Sequence, residues 1–486
     1  VIFTKEQEAI INSEGDVKVN AVAGSGKTST LVEYAKHRPD EKMLYLVFNR
    51  SAKMDAEQKF KKAGVKNVTI QTAHSLAYKK IVPIRGYCVC NDHKVYEIKN
   101  ILNLGGVGYY GYIVATHISK YLELYCNSIA GEPKDIQDKY ARSLSTEDAK
   151  AFYNANDDVV LQGVDEMLKR MREGVIDATH SFYLKEYQLG NPKLKFDCIM
   201  YDEVQDSNPV MVDIFMKQKC RKVCVGDDNQ AIYGWRGAIN TLQKINFKEL
   251  PITKSFRFNQ DIADIAMKCL DMKKLYNIKF KQSKICGVGE LKKDKTMVVL
   301  SRDNLSLLDE AIDIISSSND KKIYFEGNLN SYTFMNGISI YDIFNLYYNN
   351  LSYIKNPLIK MMKSFKDLEE YVKNTGDTNI EMLVKIVKKY GRSLPSLFKK
   401  LKNLNLSDDK KYEADIIFST LHKCKGLEFS TVKLLNGFIT ENKINDLINN
   451  DFDKNKIDEE INILYVALTR VKNKLILPDD LNFLNN

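Results

Sequence analysis

Tryptophan is all but missing from this sequence: Trp235 is the only one in 486 residues. No apolar run approaches the length of a membrane-spanning helix, and the N-terminus lacks the basic, apolar, small-residue order of a secretory leader. Those gaps set the expectation of a soluble, intracellular chain, nuclear or cytoplasmic, with no membrane partner. Cysteine is present but unpatterned. Nine residues, an odd number without regular spacing, suit a reducing compartment better than a disulfide framework. Cys88-Val89-Cys90 with His93 looks like half a zinc site, yet no second ligand pair stands at usable spacing. Internal repeats and low-complexity tracts are missing as well.

What is there is a chain long enough for several domains, with 44% apolar residues and a net charge of +9. Much of that charge is concentrated. Between Leu351 and Lys411 fourteen Lys and Arg residues face seven Asp and Glu. This segment reads either as a solvated helical face or as a surface that tracks phosphate backbones.

The sequence is organised around Val17–Thr28. An alternating apolar run passes through Ala21, Val22 and Ala23 into Gly24-Ser25-Gly26-Lys27-Thr28, and Ser29–Ala35 continues with helical spacing. A buried strand, a tight loop and a helix N-terminus in that order point backbone N–H groups and the helix dipole at polyphosphate. Lys27 would reach the outer phosphates, and the Thr28 hydroxyl would meet Mg²⁺. The strict pattern opens on Gly where this chain has Ala21.

Further strands are predicted at 43–48, 68–70, 196–201 and 222–225. Each ends in polar residues, as in open α/β sheets that bind ligands at their strand ends. Phe48-Asn49, Thr72 with His74, and Asp202-Glu203 stand at three of these ends. The paired carboxylates suit a nucleotide site, one holding Mg²⁺ through water and the other activating the attacking water. After the strand at 222–225 comes Gly226–Gly237, which contains Gln230, Tyr233 and Trp235. A lone Trp among Gly, Arg and polar residues suits base stacking better than a core. A second α/β unit follows, with strands at 297–302, 416–420 and 474–477 and helices at 260–270 and 305–315. Helical, polar stretches such as 159–172 interrupt the first unit, and the Lys-rich segment interrupts the second.

Taken together these stretches resemble the UvrD/Rep-type DNA helicases of superfamily 1, from Gln7 to Arg470. Ser255–Phe258, Thr420–Phe429 and Asn462–Ala467 look most like the helicase part of the F-box DNA helicases. The resemblance implies an α/β fold with two RecA-like motor domains, each carrying a mostly helical insertion, and ATP with Mg²⁺ in the cleft between them. It places the first motor domain at 1–75 and 191–252 and its insertion at 76–190. The second lies at 253–335 and 412–486, with a short Lys-rich insertion at 336–411. By resemblance Gln7 reads adenine, and Ala23 to Ser29 cradle the phosphates. Thr28 and Asp202 serve Mg²⁺, Glu203 activates water and Gln230 senses the γ-phosphate. Phe256 lies against adenine, Glu428 meets the ribose, and Arg257 and Arg470 act as arginine fingers. Phe48, Asn49, Thr72, His74, Tyr233, Trp235 and His422 match positions that contact single-stranded DNA.

The implied activity is ATP-dependent 3′→5′ unwinding in repair, recombination or replication. Its substrates are single strands and their junctions with duplex, and its protein partners belong to recombination or repair. The alternative is a translocase that strips proteins such as recombinase filaments from single strands with little unwinding. A binding module with a decayed ATP site is opposed by intact Lys27, Glu203, Arg257 and Arg470, while RNA is not excluded by stacking contacts. With Gln7 near the start and sixteen residues after Arg470, neither an F-box nor an appended nuclease is expected in this chain.

Overall fold

The computed structural model describes residues 2–234, 237–238, 240–277, 280, 284–290, 297–317, 321–335, 337–449 and 452–485. Two compact units emerge. One comprises Val1–Ala73, Lys193–Gly327 and Leu404–Asn486, and the other His74–Pro192 and Asn328–Asn403.

The first unit is built on two parallel sheets. Strands β1 (Val17–Ala21), β2 (Met43–Val47), β3 (Val68–Thr72), β4 (Cys198–Tyr201), β5 (Arg221–Gly226) and β6 (Lys248–Ile252) align in the order β3-β2-β4-β5-β1-β6. Every pairing is parallel. Helices cover parallel sheets on both faces, so central strands read as aliphatic runs. All five residues of β2, Met-Leu-Tyr-Leu-Val, are buried accordingly. The second sheet joins β7 (Met297–Ser301), β8 (Ile323–Phe325), β9 (Ile416–Thr420), β10 (Phe429–Leu434) and β11 (Val471–Ile476) in the order β8-β9-β7-β10-β11. These are two parallel-sheet lobes of an α/β fold. Val22, Ala23 and Ile232 of the first lobe join the apolar core of the second, so the lobes pack through the residues flanking the loop after β1.

The second unit is mostly helical. Its helix Phe365–Thr375 ends on carbonyls taken up by other side chains of the same unit. Lys120 Nζ donates to Thr375 O at 2.7 Å, and His117 Nε2 bonds Asn374 O at 3.1 Å. The Tyr371 and Thr116 hydroxyls meet at 2.6 Å, fully buried. One helix expected at 159–172 begins at Glu147 and runs to Arg172. Its start is masked in the sequence because Asn156 leaves helical geometry (φ −137°) and bonds Phe152 O through its side chain, which kinks the helix. The strand expected at 474–477 begins earlier, directly after Arg470. Among the described residues no helix is long and apolar enough to cross a membrane.

Candidate active site

The loop after β1 turns through Gly24 and Gly26, both left-handed (φ +72° and +78°), and Gly26 caps the helix Lys27–Lys36 without any side-chain bond to its first N–H groups. Those donors therefore stay available for an anion. Gly24 is required by close approach as well as by its backbone: a Cβ there would lie 2.5 Å from Arg257 Cβ. Phe256 N–H donates to Gly24 O at 2.9 Å while its ring is half exposed, so the residue lies beside the loop. Ser25 Oγ is buried within the loop without a hydrogen-bond partner. Ala23 is buried, Ser29 exposed.

Gln7 braces this loop. It sits at the third position of a capping box begun by Thr4, and its Nε2 donates to Ser25 O (3.3 Å) and Thr30 Oγ1 (3.1 Å). Its Oε1 accepts from Thr4 N–H. An adenine edge, the partner expected for Gln7, would have to displace one of these groups.

Lys27 Nζ lies 2.9 Å from Glu203 Oε1. Burial alone would lower the lysine pKa, but Glu203, Asp202 and Asp227 together raise it. Glu203 stands where β4 ends, at φ +50°, a left-handed backbone that a side-chain-bearing residue adopts at a cost. Strain of this kind marks a residue aimed by its surroundings. Gln205 Nε2 donates to Glu203 Oε2 at 2.6 Å, and Gln205 Oε1 accepts from Asp227 N–H. Burial opposes the Glu203 charge, yet Lys27, Lys425 and Gln205 hold its pKa below the ordinary value. Asp202 goes the other way, raised by burial and by the Glu203 charge. Two adjacent carboxylates thus titrate apart.

The donor set suits Mg²⁺. Asp202 and the Thr28 hydroxyl supply hard oxygens, and Asp206 and Asp227 add buried carboxylates whose pKa values burial also raises. Among the described residues no group of three or more His, Cys, Asp or Glu is placed to hold a metal. Mg²⁺ at a nucleotide site is held by one or two carboxylates and the substrate's phosphates. At the Cys88/Cys90/His93 cluster, Cys90 Sγ is 3.9 Å from His93 Nε2, but that nitrogen is taken by Asp177 O at 2.8 Å.

The second lobe completes the site. Arg470, 1% exposed, bonds Gln230 Oε1 at 3.4 Å, and Gln230 Nε2 donates to Asp227 Oδ2 at 2.7 Å. Burial and nearby Arg257 lower the Arg470 pKa to about 10, which leaves it charged at neutral pH. Arg257 donates to Glu428 Oε2 (3.0 Å) and Thr469 O (2.9 Å), and Glu428 also pairs with Lys472. Glu428 and both arginines therefore belong to one charged cluster.

Beyond Gln230 the chain continues into an aromatic row. The Tyr233 ring stacks on Phe48 (centroids 5.6 Å, planes 16° apart) and tilts against His422 at 5.9 Å. Asn49, exposed, caps the helix Arg50–Lys62 through Ala52 N–H, and Thr72 ends β3 half-buried. His74 belongs to the helical unit, where burial and His180 push its pKa down to about 4 and its ring meets Tyr183 edge-on. Trp235 lies outside the described residues.

Three contributors were not singled out in the sequence. Lys425 Nζ reaches Asp206, Gln230 O and the Tyr233 ring. Lys273, 2% exposed, bonds Asn229 Oδ1 (3.1 Å) and Asn462 Oδ1 (2.8 Å) and pairs with Asp458. Tyr45 donates to Asp202 Oδ2 at 2.6 Å. A signal existed for the last: a hydroxyl in a fully buried strand usually takes a partner.

Comparison with known proteins identifies a family for the chain. The UvrD/REP helicase N-terminal domain matches residues 3–83 and 121–249, and the UvrD-like helicase C-terminal domain matches 254–478. F-box DNA helicase 1 of Gallus gallus is 30% identical across all of the chain, and F-box DNA helicase protein 1 of Schizosaccharomyces pombe 29% identical across 98% of it. The ATP-dependent DNA helicase PcrA of Staphylococcus aureus is 26% identical over 48% of the chain and 34% of its own length. The chain spans 50% and 57% of the length of the two F-box helicases.

Proposed function

This chain belongs to the UvrD-like DNA helicase family, and on that premise we propose that it hydrolyses ATP with Mg²⁺ and uses the cycle to move 3′→5′ along single-stranded DNA and unwind duplex at its junctions. The observation that carries the reading is the composite site: Lys27 and strained Glu203 from one lobe, Arg470 on Gln230 from the other. The loop after β1 binds and orients the phosphates through its N–H groups and Lys27. Thr28 and Asp202 would hold Mg²⁺, which would supply charge neutralisation at the phosphates. Glu203, ionised and fixed by Gln205, accepts the proton of the attacking water. Arg470 and Arg257 meet the charge that develops on the transferred group, so hydrolysis depends on the lobes being together.

Gln230 and Tyr233 are three residues apart, which ties the γ-phosphate side to the aromatic row. Phe48, Tyr233 and His422 offer faces on which bases stack without sequence preference, and Asn49 and Thr72 offer polar groups to the backbone. His74 and Trp235 are proposed for the same strand. The test is ATPase activity with no nucleic acid, single-stranded DNA, duplex DNA and RNA. Strong stimulation by single-stranded DNA supports the reading, and hydrolysis indifferent to DNA opposes it.

A further inference from the structure

We propose that Tyr45 is a positioning residue for the divalent cation of the ATP site, fixing the Asp202 carboxylate in the orientation the cation needs; this rests on the ATP-hydrolysing reading above.

Tyr45 is fully buried in β2, and its ring packs edge-on against Phe60 with centroids 5.0 Å apart. In parallel register it pairs with Met200 of β4, two residues before Asp202. Its hydroxyl donates to Asp202 Oδ2 at 2.6 Å. Asp202 Oδ1 accepts from Glu203 N–H at 3.0 Å. Each carboxylate oxygen therefore has one fixed donor, and the group cannot turn.

The direction of this bond follows from chemistry: an ionised carboxylate only accepts, so Tyr45 donates to it. One hydroxyl thus sets the orientation of the carboxylate, as outer partners of metal ligands do.

Tyr45→Phe keeps the ring against Phe60 and removes only this hydroxyl. The measurement is binding of N-methylanthraniloyl-ADP with and without Mg²⁺, followed across a Mg²⁺ titration, with the Mg²⁺ dependence of hydrolysis alongside. The half-saturating Mg²⁺ concentration should rise about 10-fold or more, while Mg²⁺-free nucleotide binding stays within about twofold. In an Asp202→Asn background the same change should have no effect beyond about twofold, because the carboxylate that Tyr45 orients is gone. A Tyr45→Phe protein with wild-type Mg²⁺ dependence overturns the proposal. So does an equal loss of Mg²⁺-free binding, which would make Tyr45 a packing residue of the loop. A wild-type protein whose nucleotide binding ignores Mg²⁺ overturns the ATP reading itself, and the proposal with it.

Discussion

Lys425 Nζ lies 2.6 Å from Asp206 Oδ1, joining the second lobe to the first with 9% and 3% of the two side chains exposed. The same ammonium bonds Gln230 O and lies 4.9 Å from the centre of the Tyr233 ring. One side chain therefore touches the segment three residues beyond Glu203, the Gln230 backbone and the aromatic row.

Removing that cation should act through Asp206. Burial raises the Asp206 pKa to about 6 even with Lys425 beside it, and Lys425→Met should raise it further. A carboxyl whose folded pKa exceeds its unfolded value stabilises fully below the unfolded pKa and loses that stability as pH rises through the folded one. Lys425→Met should therefore cost about 3 kcal/mol near pH 8 and distinctly less near pH 5. Thermal unfolding at both pH values checks this, and an equal loss at both would refute it.

Asp228 offers a second pH test, with the opposite consequence for stability. Burial, then Asp227 and Glu249, raise its pKa to about 7, and its Oδ1 is buried without a partner. Its stabilising contribution is complete below about pH 4, where the unfolded carboxyl protonates, and is lost on the way to pH 7. Asp228→Asn should raise the melting temperature near pH 8 and change it little near pH 4.5. A variant destabilised at pH 8 would show that the charge is needed.

Lys27→Ala should abolish hydrolysis while nucleotide-free binding to single-stranded DNA stays nearly unchanged. The motivation is that Lys27 serves Glu203 and the loop, while the Phe48–Tyr233–His422 row lies elsewhere. Fluorescence anisotropy with a labelled oligonucleotide measures the binding. Equal loss of both activities in a folded protein would contradict the separation.

The sequence supplies its own probe of the DNA face. Trp235 is the only tryptophan, so its emission should change saturably with single-stranded DNA of any base sequence. Phe48→Ala should weaken that binding by about 1–3 kcal/mol, the range for one stacked base. Emission that responds to ATP analogues but not to DNA would remove Trp235 from the DNA face.

Local chemistry was legible wherever one segment carries it whole. Gly24 to Thr28 announces a tight loop between a strand and a helix N-terminus, which the structure has, and buried parallel strands announce themselves as runs such as Met43–Val47. Strand-end polar groups such as Asp202 and Glu203 could be placed for the same reason. Relations between distant segments were not legible. Lys425 meets Asp206 across 219 residues, and Lys273 joins Asn229 to Asn462, because no periodicity encodes which strand ends will face each other. The left-handed backbone of Glu203 was also hidden, since nothing local demands it. Gln7 shows a third kind of gap: its amide serves a capping box and the loop after β1, contacts that a lone Gln does not advertise.

The central claim is that hydrolysis at Lys27 and Glu203 drives 3′→5′ movement. Its most direct test is strand displacement from matched 3′-tailed and 5′-tailed duplexes, with wild type, Glu203→Gln and Arg470→Ala compared under single-turnover conditions. The account predicts displacement from the 3′-tailed duplex only, none with Glu203→Gln, and a loss of at least about 10²-fold with Arg470→Ala at little cost in ATP affinity. Displacement from the 5′-tailed duplex, or displacement that survives Glu203→Gln, would contradict it.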